Sequence, residues 1–148
     1  GTDGKITPEL VREFVGLSRE EEVWGIQQTL LSGQAEESLA HLRYVLDVSR
    51  KAPTLVTWAI TDLARKLHGF SRGLKAGQDP DTIARSLKVW GPSKGTLAAT
   101  GSRLQPARAL RLFETCVEAA SRQKSGLGEG DLTLERLVIQ FAATISGR

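Results

Sequence analysis

Methionine is absent from this 148-residue chain and cysteine occurs once, as Cys116. A lone cysteine cannot form an internal disulfide, so the sequence excludes the small secreted domains that depend on disulfides. This composition suits a reducing compartment, and we expect a cytoplasmic location. Because the chain starts at Gly1 without a methionine, we expect a fragment excised from a longer protein, with Gly1 a cloning remnant.

Long apolar runs are also missing. No stretch of the sequence approaches the ~20 consecutive apolar residues that cross a bilayer. The N-terminal residues lack the charged, apolar and small-residue order of a secretion signal. We therefore expect no membrane partner.

Aromatic residues make up only 5% of the chain, whereas apolar residues make up 40% and charged residues 25%. Alanine, leucine, arginine, glutamate and glutamine are plentiful, which favours helix. No segment alternates apolar and polar residues as a strand would. The sequence predicts an all-α bundle of about six to eight helices with one core.

The longest amphipathic run follows Pro53 and predicts a helix of about 20 residues. Its apolar residues recur every three or four positions: Val56, Ile60, Leu63, Leu67, Phe70 and Leu74. Trp58 lies beside this stripe, and we interpret it as a core residue.

Start and stop signals predict the first three helices of the chain. Thr7-Pro8-Glu9 opens a short helix that closes at Gly16, and Ser18 with Glu21 forms a capping box for the next one. Ser32-Gly33-Gln34 ends that second helix. A third helix follows at once, from Ala35 to Arg50, so the two should form an antiparallel hairpin.

Similar signals predict the helices of the second half. Asp79 should cap a short helix, and Ser93 should cap another that ends at a loop over residues 100–102. Gln105-Pro106 should begin a long helix. We expect its inward residues to be Ala109, Leu110, Phe113, Cys116, Val117 and Ala120.

The last helix, predicted to begin at Asp131 or Thr133, is apolar almost all round. Its apolar residues are Leu132, Leu134, Leu137, Val138, Ile139, Phe141, Ala142 and Ile145. A helix without a polar face lies either in the centre of a core or under a partner. The candidate subunit interface is therefore Leu134, Val138, Phe141 and Ile145, together with Trp90. For Trp90 two positions stay open: an anchor for a partner, or a ring folded back over the core beside Pro92.

No motif in the sequence predicts catalysis, a cofactor or a metal site. Residues 91–96 have the letters of a P-loop in the wrong order, with Lys94 before Gly95, and no strand precedes them. His41, His68 and Cys116 lie on different predicted helices, too sparse for a metal site. Cys116 falls on a buried stripe and should be inert.

Basic residues form two groups that give the chain an alternative function. Arg65, His68, Arg72 and Lys75 share one face of the long central helix, and Arg108 and Arg111, with Arg103 before them, lie near the start of the next long one. Such faces either follow nucleic-acid phosphates or are simply solvated. The net charge of +3 and pI of 9.3 are compatible with both interpretations. The alternative is thus a helical nucleic-acid-binding domain.

The order of these elements resembles the delta subunit of the bacterial DNA polymerase III clamp loader, from the end of its lid domain through its collar domain. The segments that carry the resemblance are Ile6–Glu9, Glu22–Ile26, Ala35–Arg50, the helix after Pro53, Leu63–Leu67, Asp81–Leu87 with Trp90 and Pro92, Leu104–Lys124, and Leu134–Val138. One departure is Ala120, which stands where the family often has an acid four positions before a lysine, here Lys124.

The resemblance implies residues 1–17 as the terminal helix of the lid domain and residues 18–148 as the helical collar domain. It implies a non-catalytic assembly role in a clamp loader that supports DNA replication. The partners would be the delta-prime subunit and the gamma/tau ATPase subunits. The sliding clamp would be contacted through the absent N-terminal domain, and DNA only indirectly. No cofactor is implied.

Overall fold

A computed structural model describes residues 25–126 and 130–147, and this part of the chain is all-α, with seven α-helices and no strand. The predicted all-α bundle is therefore confirmed. The helix expected after Thr7, the capping box of Ser18 and Glu21, the boundary between residues 17 and 18, and Trp24 lie outside the described residues.

The helices are numbered in chain order. Residues 25–31 are the described part of α1. The others are α2 Ala35–Arg43, which continues as a π-helical turn Tyr44–Val48, α3 Pro53–Lys75, α4 Pro80–Leu87, α5 Ser93–Arg103, α6 Pro106–Lys124 and α7 Gly130–Ser146.

Helices α1 and α2 form the predicted antiparallel hairpin. Gly33, with a positive φ of 73°, makes the turn between them, a conformation that glycine adopts without strain. The Ser38 hydroxyl donates to the Thr29 carbonyl at 3.2 Å, and the ring of His41 lies against Gly25 at the other end of the hairpin. The buried Gln27 amide donates to the Ala59 carbonyl at 3.0 Å, which joins the hairpin to α3.

The π-helical turn was not predicted. Ser49 N–H donates to the Tyr44 carbonyl at 3.0 Å, which is the wider i→i+5 spacing of a π-helix. Arg50 follows with a φ of 51°. Together they turn the chain toward Pro53, where α3 begins.

Helix α3 is the centre of the bundle, and α4, α5, α6 and α7 all pack against it. The predicted stripe is confirmed: it is buried from Val56 to Phe70, and Leu74 is partly buried against the core. The interpretation of Trp58 as a core residue is wrong. Its side chain is 60% exposed because it lies on the face of α3 opposite the stripe.

Glycines let two helices approach α3 closely. A Cβ added at Gly73 would lie 2.7 Å from the Ile83 side chain of α4, and one at Gly69 would lie 2.7 Å from Leu87. From the other side, a Cβ at Gly101 of α5 would lie 2.8 Å from the Phe70 Cβ. Both α4 and α5 therefore pack on the C-terminal half of α3.

Helices α4 and α5 begin differently. The Asp79 carboxylate accepts from Asp81 N–H at 3.0 Å, as predicted for an N-cap. The capping role predicted for Ser93 is wrong, because its hydroxyl donates to the Trp90 carbonyl and Pro92 occupies the cap position. The loop predicted over residues 100–102 is also wrong, since α5 continues to Arg103.

Helix α6 begins at Pro106 as predicted and runs antiparallel to α3. The Ser71 hydroxyl, near the end of α3, donates to the Leu104 carbonyl at 2.7 Å, just before α6 starts. The expected inward face is partly wrong, because Leu110 and Val117 are exposed. The residues of α6 that are buried are Ala109, Leu112, Cys116 and Ala119.

Helix α7 lies against α6, α2 and α3. Its buried residues are Leu134, Leu137, Val138, Phe141 and Ala142. The sequence allowed this apolar helix to lie either in the centre of the core or under a partner. In the structure α7 lies in the core. A surface ion pair between Arg43 and Glu135 links α2 to α7.

Candidate interaction surfaces

Trp90 lies on the short connection between α4 and α5, and its side chain is 70% exposed. The preceding residue, Val89, is buried in the core and anchors the connection, while Gly91 turns the chain with a φ of 80°. Trp90 lines a shallow cleft with Arg85 and Lys94. The interpretation in which the ring folds back over the core is therefore wrong.

The four interface candidates on α7 do not share this exposure. Leu134, Val138 and Phe141 are buried in the chain's own core, and Ile145 is partly buried against it. Because these side chains pack within the core of the same chain, they offer little free surface to a partner. Trp90 is the predicted interface residue whose side chain is exposed.

A second apolar surface was not predicted from the sequence. Trp58 and Leu55 are both exposed and stand one turn apart on the outer face of α3. The exposure of Trp58 could have been predicted from its spacing, since Trp58 is two positions from both Val56 and Ile60 of the buried stripe. Two positions on a helix correspond to about 200° of rotation, which places Trp58 opposite the core.

The predicted basic face of α3 divides into two parts. At the first, Arg65 donates to the Asp62 carboxylate at 3.0 Å and Lys66 lies 2.7 Å from its other oxygen. His68 is half-buried, while Arg72 and Lys75, further along, are exposed. One carboxylate thus compensates one of the two positive charges in the first part.

The pKa of Asp62 is lowered by its two cationic partners. Its partial burial raises the pKa, but the hydrogen bonds from Lys66 and Arg65 outweigh that burial and hold the pKa below its ordinary value. Asp62 therefore stays ionised near neutral pH, and its negative charge offsets one of the two positive charges beside it.

The second basic group adjoins the end of α3. Lys75 Nζ lies 3.4 Å from Gln105 Oε1, directly before α6. Arg108 is half-buried and Arg111 is exposed on the first turns of α6. The end of the first basic group thus adjoins the start of α6, the helix that carries Arg108 and Arg111.

His41, His68 and Cys116 are spread over three helices, α2, α3 and α6. The His41 ring contacts the α1–α2 hairpin, where Nδ1 is 2.8 Å from the Thr29 hydroxyl. That hydroxyl also lies 2.8 Å from the Gly25 carbonyl, so Thr29 links the His41 ring to α1. Across the described residues, no group of three or more His, Cys, Asp or Glu side chains is placed to hold a metal ion.

Cys116 is buried in the core, and burial raises the pKa of its thiol to about 12. The predicted burial of Cys116 is therefore confirmed, and since the thiolate is the nucleophile we expect this side chain to be inert in the folded chain.

We expect 5,5′-dithiobis(2-nitrobenzoate) to modify native Cys116 at pH 8 at least about a thousandfold more slowly than in 6 M guanidinium chloride. The reason is that a pKa about three units higher lowers the thiolate fraction by about that factor. The measurement is the absorbance of the released thionitrobenzoate. Equal rates in the two conditions would show that Cys116 is accessible and would contradict this placement of α6.

Within the described residues, none of the helices combines the length and apolarity needed to cross a membrane. Comparison of the sequence with family models, and of the chain with curated proteins and solved structures, gave no significant match.

Proposed function

We propose that this chain is a non-catalytic assembly domain that packs against sister subunits of a larger complex. The observation that carries the proposal is the 70% exposure of Trp90 on the α4–α5 connection. Tryptophan is highly buried on average in folded chains, and it is among the residues most enriched at the centres of protein interfaces.

The complex that we propose is the bacterial DNA polymerase III clamp loader, with this chain as the collar domain of its delta subunit. The support is the resemblance in the order and spacing of the segments, which includes the turn at Trp90 and Pro92, together with the all-α fold. The proposed neighbours are the delta-prime and gamma/tau ATPase subunits. The sliding clamp would be reached through other parts of the complex.

The interface of the proposed assembly is centred on exposed tryptophan and not on α7. Trp90 forms one anchor, and Trp58 with Leu55 forms a second on the outer face of α3. A standard interface buries about 800 Å² on each partner, and a few large anchors supply most of its binding energy.

Replacing Trp90 by alanine is expected to weaken binding to the purified ATPase and delta-prime subunits of the same organism by about thirtyfold. A hot-spot truncation costs about 2 kcal/mol or more, which corresponds to that factor in Kd. Titration calorimetry measures the affinity, and co-elution in size-exclusion chromatography shows the complex directly. Circular dichroism should be unchanged, because the Trp90 ring adds little to the core.

Val117→Ala is the matched control for this experiment. Val117 is 47% exposed on α6, away from both tryptophans in the sequence, and its truncation should change the affinity less than threefold. Failure of the unmodified chain to bind either subunit would overturn the assignment to the clamp loader. An equal loss for both variants would show that Trp90 is not the anchor.

A further inference from the structure

Charge is strongly segregated along this chain, although its total is only +3. Residues 63–113 carry ten Lys and Arg against two acids, a net charge of +8. The rest of the chain carries ten against fifteen, a net charge of −5. The overall composition conceals this division.

The fold gathers the positive segment at one end of the bundle. Helices α4 and α5 pack on the C-terminal half of α3 through Gly69, Gly73 and Gly101. The start of α6 reaches the same place through the contact between Lys75 and Gln105. The hairpin of α1 and α2 contacts the opposite half of α3 through Gln27 and Ala59.

In the part of the chain that the structure describes, four exposed cations at this end have no neighbouring carboxylate that offsets their charge as Asp62 does for Arg65. They are Arg72, Lys75, Arg103 and Arg111. In residues 25–126 and 130–147 no carboxylate forms an ion pair with any of them. Such a group of like charges costs electrostatic free energy in the folded chain, and a polyanion would relieve it.

A cleft of about 350 Å³ lies beside two of these cations. Lys75 and Arg103 line it from two sides, and Ser102 and Gln105 add polar side chains between them. Arg72 stands one turn before Lys75 on α3, and Arg111 lies about one and a half turns into α6. We call this cleft, together with Arg72, which follows the lining residue Ser71, the basic cleft.

We propose that the basic cleft binds the phosphate backbone of nucleic acid without preference for base sequence. An acidic protein partner fits the cleft less well, because protein interfaces are depleted of charge at their core and rely on apolar anchors. No large exposed apolar side chain lines this cleft. Nucleic-acid interfaces are polar and strongly positive, which is the chemistry that the cleft offers. This inference uses a different surface from the tryptophan anchors and does not depend on the assembly proposal.

The test is fluorescence anisotropy of the 148-residue chain with labelled 30-nucleotide single-stranded and duplex DNA, at salt concentrations from 50 to 200 mM. The unmodified chain should bind, with an affinity that falls steeply with salt. In the triple variant Arg72→Gln, Lys75→Gln, Arg103→Gln, the dissociation constant at 50 mM salt should rise at least tenfold. The slope of log affinity against log salt should fall by about two to three, since each lost phosphate contact removes about one.

The control removes the same charge elsewhere. The triple variant Arg122→Gln, Lys124→Gln, Arg136→Gln alters cations at the end of α6 and on α7, and it should raise the dissociation constant less than twofold. The proposal is overturned by no DNA binding at 50 mM salt, or by an equal loss in the control, which would reflect net charge alone. Binding of polyglutamate as tightly as DNA, with the same dependence on Arg72, Lys75 and Arg103, would assign the cleft to an acidic polypeptide instead.

Discussion

Phe141→Ala should lower the free energy of unfolding of the chain by about 3–5 kcal/mol. The Phe141 side chain is fully buried in the core that α7 shares with the other helices. Removing the ring loses its burial and leaves a cavity that a packed core fills only in part. A domain has only about 5–15 kcal/mol of stability, so a large share of it would be lost.

Urea unfolding followed by circular dichroism measures this loss, and Ile139→Ala is its control. Ile139 is two positions away on the same helix but 47% exposed, so its truncation should cost less than about 1 kcal/mol. If Phe141→Ala does not fold, Phe141→Leu, which keeps most of the apolar volume, should fold with a smaller loss. Equal, small effects at both positions would contradict the internal position of α7.

Gly101→Ala should destabilise the chain by about 1–3 kcal/mol, the usual cost of overpacking a core. The added Cβ would lie 2.8 Å from the Phe70 Cβ and 3.2 Å from the backbone nitrogen of Ser71. Neither atom is the end of a flexible side chain, so α5 would have to move away from α3. The movement would also strain the junction at which the basic cleft lies.

The same helix supplies the control for this substitution. A Cβ at Gly95 would meet no heavy atom within 4 Å, and alanine is the better helix former by about 1 kcal/mol. Gly95→Ala should therefore stabilise the chain slightly, while Gly101→Ala lowers the midpoint of thermal unfolding. The same sign for both substitutions would show that Gly101 has no packing role.

The sequence predicted the central helix well because its apolar period is unambiguous. From Val56 to Phe70 each large apolar residue of the predicted stripe falls on one face, and α3 buries that face. In α6 the pattern is ambiguous, since Ala109 and Cys116 belong both to the expected face and to the observed one. The contact with α3 and α7 selects Leu112 in place of Leu110, and a single sequence does not contain that information.

Two other differences have a similar physical origin. Thr100-Gly101-Ser102 consists of residues that are frequent in loops, but here the glycine is needed where α5 crosses α3. Apolar residues on every side of α7 are compatible with a position in the core and with a position at a subunit interface. Only the packing of the other helices determines which of the two α7 occupies. The compensation of Arg65 by Asp62 could have been predicted from their helical spacing, which is typical of an ion pair.

Native mass spectrometry of a mixture of this chain with the purified ATPase and delta-prime subunits tests the proposed assembly role most directly. We expect a complex that contains one copy of the chain and that loses it when Trp90 is replaced by alanine. A spectrum in which the other subunits assemble and the chain stays entirely free, at micromolar concentration and moderate salt, would contradict the assembly role.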